Sequence, residues 1–227
     1  MSKKIIVVES SNDQYFVEAY VSSKNLSANI ESSPFCKIDD YECLEGDSIT
    51  KLTASLASLK NKSRKEEIQS IGIILDQDDK SIDKRLNQVN SAIKEAFGLK
   101  SDILQEPNKF EELEVDESIS LKIGLYLQNI NGTGNLETVL KTIKKGSSEH
   151  ADCLDLWKTC IESKDLSIKD QDFNKFWIQI YQRYDQCSNR ERKQAGRKCN
   201  NEASMKKDIW NFEHPSLDEL KDFLEKM

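Results

Sequence analysis

Histidine is nearly missing from this chain: only His150 and His214 occur in 227 residues. A Ser-His-Asp hydrolase therefore has little to draw on. Six cysteines stand at positions 36, 43, 153, 160, 187 and 199, but none forms a Cys-x-x-Cys pair. With so few imidazoles, that spacing argues against a structural zinc site. No Gly-rich loop is followed by Lys-Ser/Thr, which excludes a P-loop ATPase. No apolar stretch is long enough to span a bilayer, so no membrane association is expected. Met1-Ser2-Lys3-Lys4-Ile5 enters an apolar run directly and leaves no room for a signal peptide. The expectation is a cytoplasmic protein with reduced thiols. Cys153 and Cys160, seven residues apart on one helix face, read as small buried hydrophobes.

Charged residues make up 32% of the chain and hydrophobic residues 37%, which describes a well-solvated protein with a modest core. The length suits one large domain, or one domain with an appendage. The net charge of −7 is not the balance of a non-specific nucleic-acid binder. Local distribution matters more than the sum, however.

Unbroken β-branched residues predict a strand over 4–9. Ser10-Ser11-Asn12-Asp13 then supplies N-cap chemistry for a helix carrying Tyr15, Phe16, Ala19 and Tyr20. Residues 28–45 read as extended, with a second strand near Lys37–Cys43. Asp47-Ser48 opens a helix with Ile49, Leu52, Leu56 and Leu59 as its apolar stripe. Ile71–Leu75 is the third strand. Ser81 begins a long helix whose natural stop is Gly98. Ile103-Leu104, Phe110–Val115 and Ile119–Leu127 read as further strands, and part of this stretch suits an antiparallel edge. A turn-rich loop follows, after which Asn135 or Thr133 caps a helix with Leu136, Val139, Leu140 and Ile143.

From about residue 149 the pattern is helical. One stripe is Leu154, Trp157, Cys160 and Ile161; another is Phe173, Phe176, Trp177, Ile180 and Tyr184. Trp157, Trp177 and Trp210 read as core residues. The alternation of strands and helices predicts an α/β fold, a mainly parallel sheet flanked by helices, with a helical C-terminal extension. The division expected is an α/β domain over 1–145 and a helical region over 146–227, packed on the first.

Two apolar runs end in carboxylates. Ile5-Ile6-Val7-Val8 runs into Glu9, with Asp13 four residues on, and Ile71-Gly72-Ile73-Ile74-Leu75 runs into Asp76-Gln77-Asp78-Asp79. The carboxyl ends of parallel strands are where α/β proteins place their sites. Oxygen ligands gathered there suit a hard divalent cation such as Mg²⁺. Clustered carboxylates also raise one another's pKa unless a cation neutralises them. Asp79 reads as a turn or N-cap residue, and His214, before Pro215, as structural.

A strand ending in Glu, followed by a later strand ending in Asp-x-Asp, resembles the Toprim domain. That domain is shared by topoisomerases, primases, small nuclease-like proteins and the overcoming-lysogenization-defect (OLD) family nucleases. The resemblance covers roughly residues 4–145. It is nearest to small stand-alone bacterial Toprim-like proteins, through Gly134-Asn135-Leu136-Glu137 and through Trp210-Asn211-Phe212-Glu213-His214-Pro215-Ser216-Leu217. One departure is Ser10, where Toprim sequences usually carry Gly directly after the Glu. No segment corresponds to the strand-cleaving domain of topoisomerases or the zinc module of primases.

The resemblance implies Mg²⁺- or Mn²⁺-dependent phosphodiester chemistry. Asp76 and Asp78 would hold the metal, and Glu9 would serve as ligand or general acid/base. Asp13 and Glu137 are candidates for a second ion. Two ions ~4 Å apart would stabilise both the attacking and the leaving oxygen of an in-line displacement. The resemblance also points to phage or mobile-element defence, with a separate ATPase partner. Arg183, Arg190, Arg192, Lys193, Arg197 and Lys198 form the clear basic run. They read either as a solvated helix face or as phosphate contacts to nucleic acid. The alternative to a nuclease is a non-catalytic metal- or nucleotide-binding regulatory protein.

Overall fold

A computed structural model describes residues 2–26, 29–36 and 47–227. The chain separates into two compact units, Met1–Gln128 with Leu217–Met227, and Asn129–Ser216. Residue 145, the boundary expected from sequence, falls inside the second unit, and the last helix belongs to the first.

The first unit is an α/β layer structure. It runs β1 (Lys3–Val8), α1 (Ser11–Ser23), β2 (Ile30–Pro34), α2 (Asp47–Ser63), β3 (Ile68–Asp76), α3 (Ile82–Phe97), β4 (Phe110–Asp116) and β5 (Ile119–Gln128). The five strands form one sheet in the order β2-β1-β3-β5-β4. All neighbours are parallel except β4, which pairs antiparallel with β5 at the edge. The strand expected near 37–43 lies outside the described residues. Ile103 and Leu104 are not in a strand: the Asn90 side chain accepts from both backbone amides and donates to the Leu104 carbonyl at 2.8 Å. That amide satisfies backbone groups that strand pairing would otherwise satisfy.

Alternation along the central strands gives each face its own core. Ile5, Val7, Ile71, Ile73, Ile123 and Leu125 pack with Leu52 and Leu56 of α2 and Val89 and Ile93 of α3. α3 is delimited as its sequence requires. The Ser81 side chain accepts from the Lys84 amide, and Gly98 ends the helix at φ 77°, a left-handed conformation glycine adopts without a Cβ penalty.

The chain's last helix, Asp218–Lys226, serves the opposite face. Phe223 is fully buried, 4.8 Å from the Phe110 ring and 5.7 Å from the Tyr126 ring. Gly72 and Gly124 sit side by side in register and form the floor beneath these rings. A Cβ at Gly72 would lie 3.1 Å from Phe223, and one at Gly124 would lie 2.9 Å from Phe110. Ser70 donates to the Met227 carbonyl at 3.0 Å, and Tyr20 of α1 donates to the Leu217 carbonyl at 3.1 Å.

In the second unit, the helices are α4 (Leu136–Ile143), α5 (Glu149–Glu162), α6 (Asp170–Ile180), α7 (Asn189–Arg192), α8 (Ala195–Lys198) and α9 (Asn201–Met205), with a π-helical turn at Tyr181–Asp185. Asn135 caps α4, which settles the choice left open between it and Thr133. Trp177, Tyr181 and Trp210 form the centre, ring centroids 5.4 Å apart at each step.

Trp157 departs from expectation, being 42% exposed. The stripe that α5 turns inward is Ala151, Leu154, Lys158 and Ile161, and Trp157 and Cys160 lie beside it. Cys153 and Cys160 are exposed free thiols rather than buried hydrophobes. The expectation of reduced thiols fails too, because Cys187 and Cys199 form a disulfide and Cys36 is also disulfide-bonded. No described helix is long and apolar enough to cross a membrane.

The dependence of the sheet on α10 (Asp218–Lys226) is testable. Phe223→Ala is expected to cost about 3–5 kcal/mol, as for other fully buried aromatics. Chemical denaturation of the intact chain checks this. A loss below about 1 kcal/mol would show that the helix is not integral to this core.

Candidate functional site at the strand ends

Parallel register brings the carboxyl ends of β1, β3 and β5 side by side. Val8 pairs with Ile74, and Asp76, the last residue of β3, pairs with Gln128, the last residue of β5. Glu9 follows β1 directly. Its neighbour Ser10 has extended backbone angles, φ −127° and ψ 171°, so no glycine is required after the Glu. Ser10 instead caps α1. Its hydroxyl accepts from the amides of Asn12 and Asp13, while its own amide and hydroxyl donate to Asp13 Oδ2 at 3.0 and 2.6 Å. Asp13 is thereby buried within a capping box.

The amide of Gln128 spans two acids. Its Nε2 donates to Asp13 Oδ1 at 2.8 Å and to Asp76 Oδ1 at 3.2 Å. Its Oε1 is buried without a hydrogen-bond partner. The turn after β3 is held by the Gln77 amide, which donates to the Gln128 carbonyl at 2.9 Å, and by the Gln77 side chain, which donates to the Lys80 carbonyl. The turn places Asp78 at φ 55°, in the left-handed region. Asp tolerates this conformation better than most residues. Asp78 forms an ion pair with Arg85 of α3. Arg85 is 3% exposed, and its Nε has no hydrogen-bond partner.

Glu9 carries the electrostatic signature of the cluster. Burial raises its carboxyl pKa from 4.5 to about 7, reinforced by the charges of Asp13 and Asp78 and opposed by Arg85 and Lys80. The half-buried carboxyl is thus balanced between its two protonation states near neutrality.

Of the acids singled out by sequence, Glu9, Asp13, Asp76 and Asp78 come together at this end of the sheet. Asp79 is exposed in the turn. Glu137 belongs to the second unit, buried in the first turn of α4. Arg183, Arg190, Arg192, Lys193, Arg197 and Lys198 also belong to the second unit. His214 accepts from the Ser216 amide at 3.2 Å, a local turn contact.

Sequence reasoning missed Gln128 and Arg85. Gln128 had a signal, since it is the first polar residue after an apolar run, as Asp76 is. Arg85 had none, because its guanidinium reaches Asp78 from one turn inside the next helix.

The fold and this cluster define an α/β protein with an acidic strand-end site. The chain matches, over residues 3–227, the family described as Protein of unknown function (DUF3226), and it belongs to that family. No curated protein and no solved structure matches it.

The Glu9 shift has a linkage consequence. An acid with a raised folded-state pKa contributes stability below its unfolded pKa and loses it as pH rises through the folded value. In EDTA, the wild type is expected to lose on the order of 2–3 kcal/mol relative to Glu9→Gln between pH 4.5 and 8. Urea unfolding across that range reads the difference, and parallel profiles would show that Glu9 titrates normally.

Proposed function

We propose that the protein is a Mg²⁺- or Mn²⁺-dependent phosphodiester-cleaving enzyme acting on nucleic acid, with a Toprim-like site at the ends of β1 and β3. The observation that carries this reading is Glu9, a half-buried carboxyl whose pKa is raised to about 7 among other acids. A general acid/base works best with a pKa near the operating pH, and such groups typically contribute about 10²–10⁴-fold. Glu9 would take a proton from the attacking hydroxyl or water, or return one to the leaving oxygen.

The donor set suits a hard cation in kind. Asp76, Asp78 and Asp13 are carboxylates, and the unpartnered Gln128 Oε1 adds a neutral oxygen beside two of them. As placed, no three His, Cys, Asp or Glu side chains among the described residues converge closely enough to hold a metal. Arg85 stands on Asp78, where a cation is wanted. If Asp78 were to hold a divalent ion, the ion would take the place of the Arg85 guanidinium. A bound divalent ion would supply Lewis-acid stabilisation of charge developing on the phosphoryl oxygens.

The exchange gives Arg85 its own role. Released from Asp78, it is a buried guanidinium with unsatisfied donors, the group best suited to bind a phosphate through paired N–H bonds. The basic run of the second unit enters this reading as contacts to the nucleic-acid backbone. A setting in phage or mobile-element defence with a separate ATPase partner belongs to the same proposal, on analogy alone.

The Asp78–Arg85 pair also favours a second reading, a non-catalytic metal- or nucleotide-binding regulatory protein. If Arg85 is the permanent counter-ion, the cluster is a structural charge network. Cleavage of labelled single- and double-stranded DNA and RNA with Mg²⁺ or Mn²⁺ separates the two. The enzyme reading predicts metal-dependent cleavage, reduced by about 10²-fold or more in Glu9→Gln, and lost in Asp76→Ala. Wild-type protein inert on every substrate with both metals would sink it in favour of the second.

A further inference from the structure

Cys187 and Cys199 close a loop of unusual charge. Residues 183–198 hold six cations, Arg183, Arg190, Arg192, Lys193, Arg197 and Lys198, against two acids, Asp185 and Glu191. The chain as a whole carries −7, so this is a marked local reversal. Both acids are already engaged. Glu191 pairs with Lys207 at 2.8 Å, and Asp185 accepts from the amides of His150 and Ala151. Among the described residues, none of the six cations has an ion-pair partner. Five of them are exposed and Arg192 is half-buried.

An aromatic ring stands in the same surface. Tyr184 is 40% exposed, with the Arg183 and Arg192 guanidinium groups 5.6 and 5.7 Å from its ring centroid. Arg192 also donates to the Tyr184 carbonyl at 3.3 Å. Exposed cations around an aromatic platform suit a single-stranded nucleic acid, whose phosphates pair with the cations and whose bases stack on the ring.

Little besides the disulfide fixes this loop. α7 and α8 are four residues each, far below the length at which a helix stands alone, and neither buries any residue. The Ser188–Glu191 capping box and the Glu191–Lys207 pair hold its start, and the Asn200 side chain donates to the Gly196 carbonyl at 3.0 Å near its end. Cys187 and Cys199 are both buried, and the sulfur of Cys187 accepts from Lys207 Nζ at 3.2 Å.

We propose that the Cys187–Cys199 loop is a binding surface for single-stranded nucleic acid, switched by thiol–disulfide exchange. A dithiol reductant gives two electrons and two protons to the bond. Its first thiolate attacks Cys199 Sγ, Cys187 leaves as the thiolate, and the second thiol of the reductant closes its own disulfide to release Cys199 as a thiol. Lys207 stabilises the departing Cys187 thiolate, which then takes the second proton. The same ammonium holds Glu191, so reduction also weakens the cap of α7. The loop gains conformational freedom, and ordering it on the ligand then costs affinity.

The site rests in part on the nucleic-acid reading above, but its test does not depend on cleavage. Binding of a fluorescent single-stranded oligonucleotide is measured by anisotropy in EDTA at fixed salt. Oxidised wild type is compared with the dithiol-reduced protein and with Cys187→Ser/Cys199→Ser. The expected result is binding roughly tenfold weaker on reduction, equivalent to about two phosphate contacts at moderate salt. The double variant should match the reduced protein and ignore the dithiol. Arg190→Glu/Lys193→Glu, which leaves the disulfide in place, should weaken the oxidised form and lower its salt dependence. Equal binding in both redox states, or no binding in either, would overturn the proposal. Catalytic inactivity with redox-dependent binding intact would leave it standing and count against the enzyme reading alone.

Discussion

Four carboxylates brought together at the ends of parallel strands, Asp13 buried and the other three half-buried, have to be compensated. Glu9, Asp13 and Asp76 owe their nearness to the register of β1, β3 and β5, and Asp78 follows one tight turn beyond. Each is answered differently. Asp78 has the buried guanidinium of Arg85, and Asp13 has the cap of Ser10 and one N–H of Gln128. Asp76 takes another N–H from the same amide, and Glu9 accommodates by holding its proton to about pH 7. Burying such groups is costly unless they are paired or neutralised. An arrangement that leaves one acid half-protonated and one amide oxygen unsatisfied is poorly explained by stability alone. On the proposed reading, charge neutralisation by a ligand cation would account for both.

The rest of the first unit keeps those strand ends in place. α2 and α3 cover one face of the sheet, and α3 also carries Arg85 to the site. The opposite face depends on the chain's last residues. The glycine pair at 72 and 124 makes a shallow floor, and Phe110 and Phe223 lie over it. This is why the C-terminal helix belongs to the first unit although the intervening residues form a unit of their own.

Much of this was legible in the sequence. The apolar runs ending in acids mark β1 and β3, and Ser81 and Gly98 bracket α3 as capping rules require. What was not legible was decided by partners distant in the chain. Arg85 looks like an ordinary helix arginine until the turn at Asp78 folds back on it. Cys187 and Cys199 have no diagnostic spacing, and only the fold of the basic loop brings them together. Trp157 reads as core because it shares an apolar stripe with Leu154 and Ile161, but the helix turns inward on the side that carries Ala151, Leu154, Lys158 and Ile161. Ile103 and Leu104 read as a strand because periodicity cannot anticipate an asparagine side chain taking over their backbone hydrogen bonds. Ser10, the departure from the Toprim pattern, is an N-cap in extended backbone.

The central proposal is that the acids at the strand ends bind a divalent cation. The most direct test is the Glu9 carboxyl pKa, read from its ¹³C chemical shift with EDTA and with saturating Mg²⁺. The account predicts titration near pH 7 without metal and a fall of at least about one unit with it, because a nearby cation favours the charged form. A Glu9 pKa unchanged by Mg²⁺ and by Mn²⁺ would contradict it and leave Arg85 as the permanent counter-ion of a structural cluster.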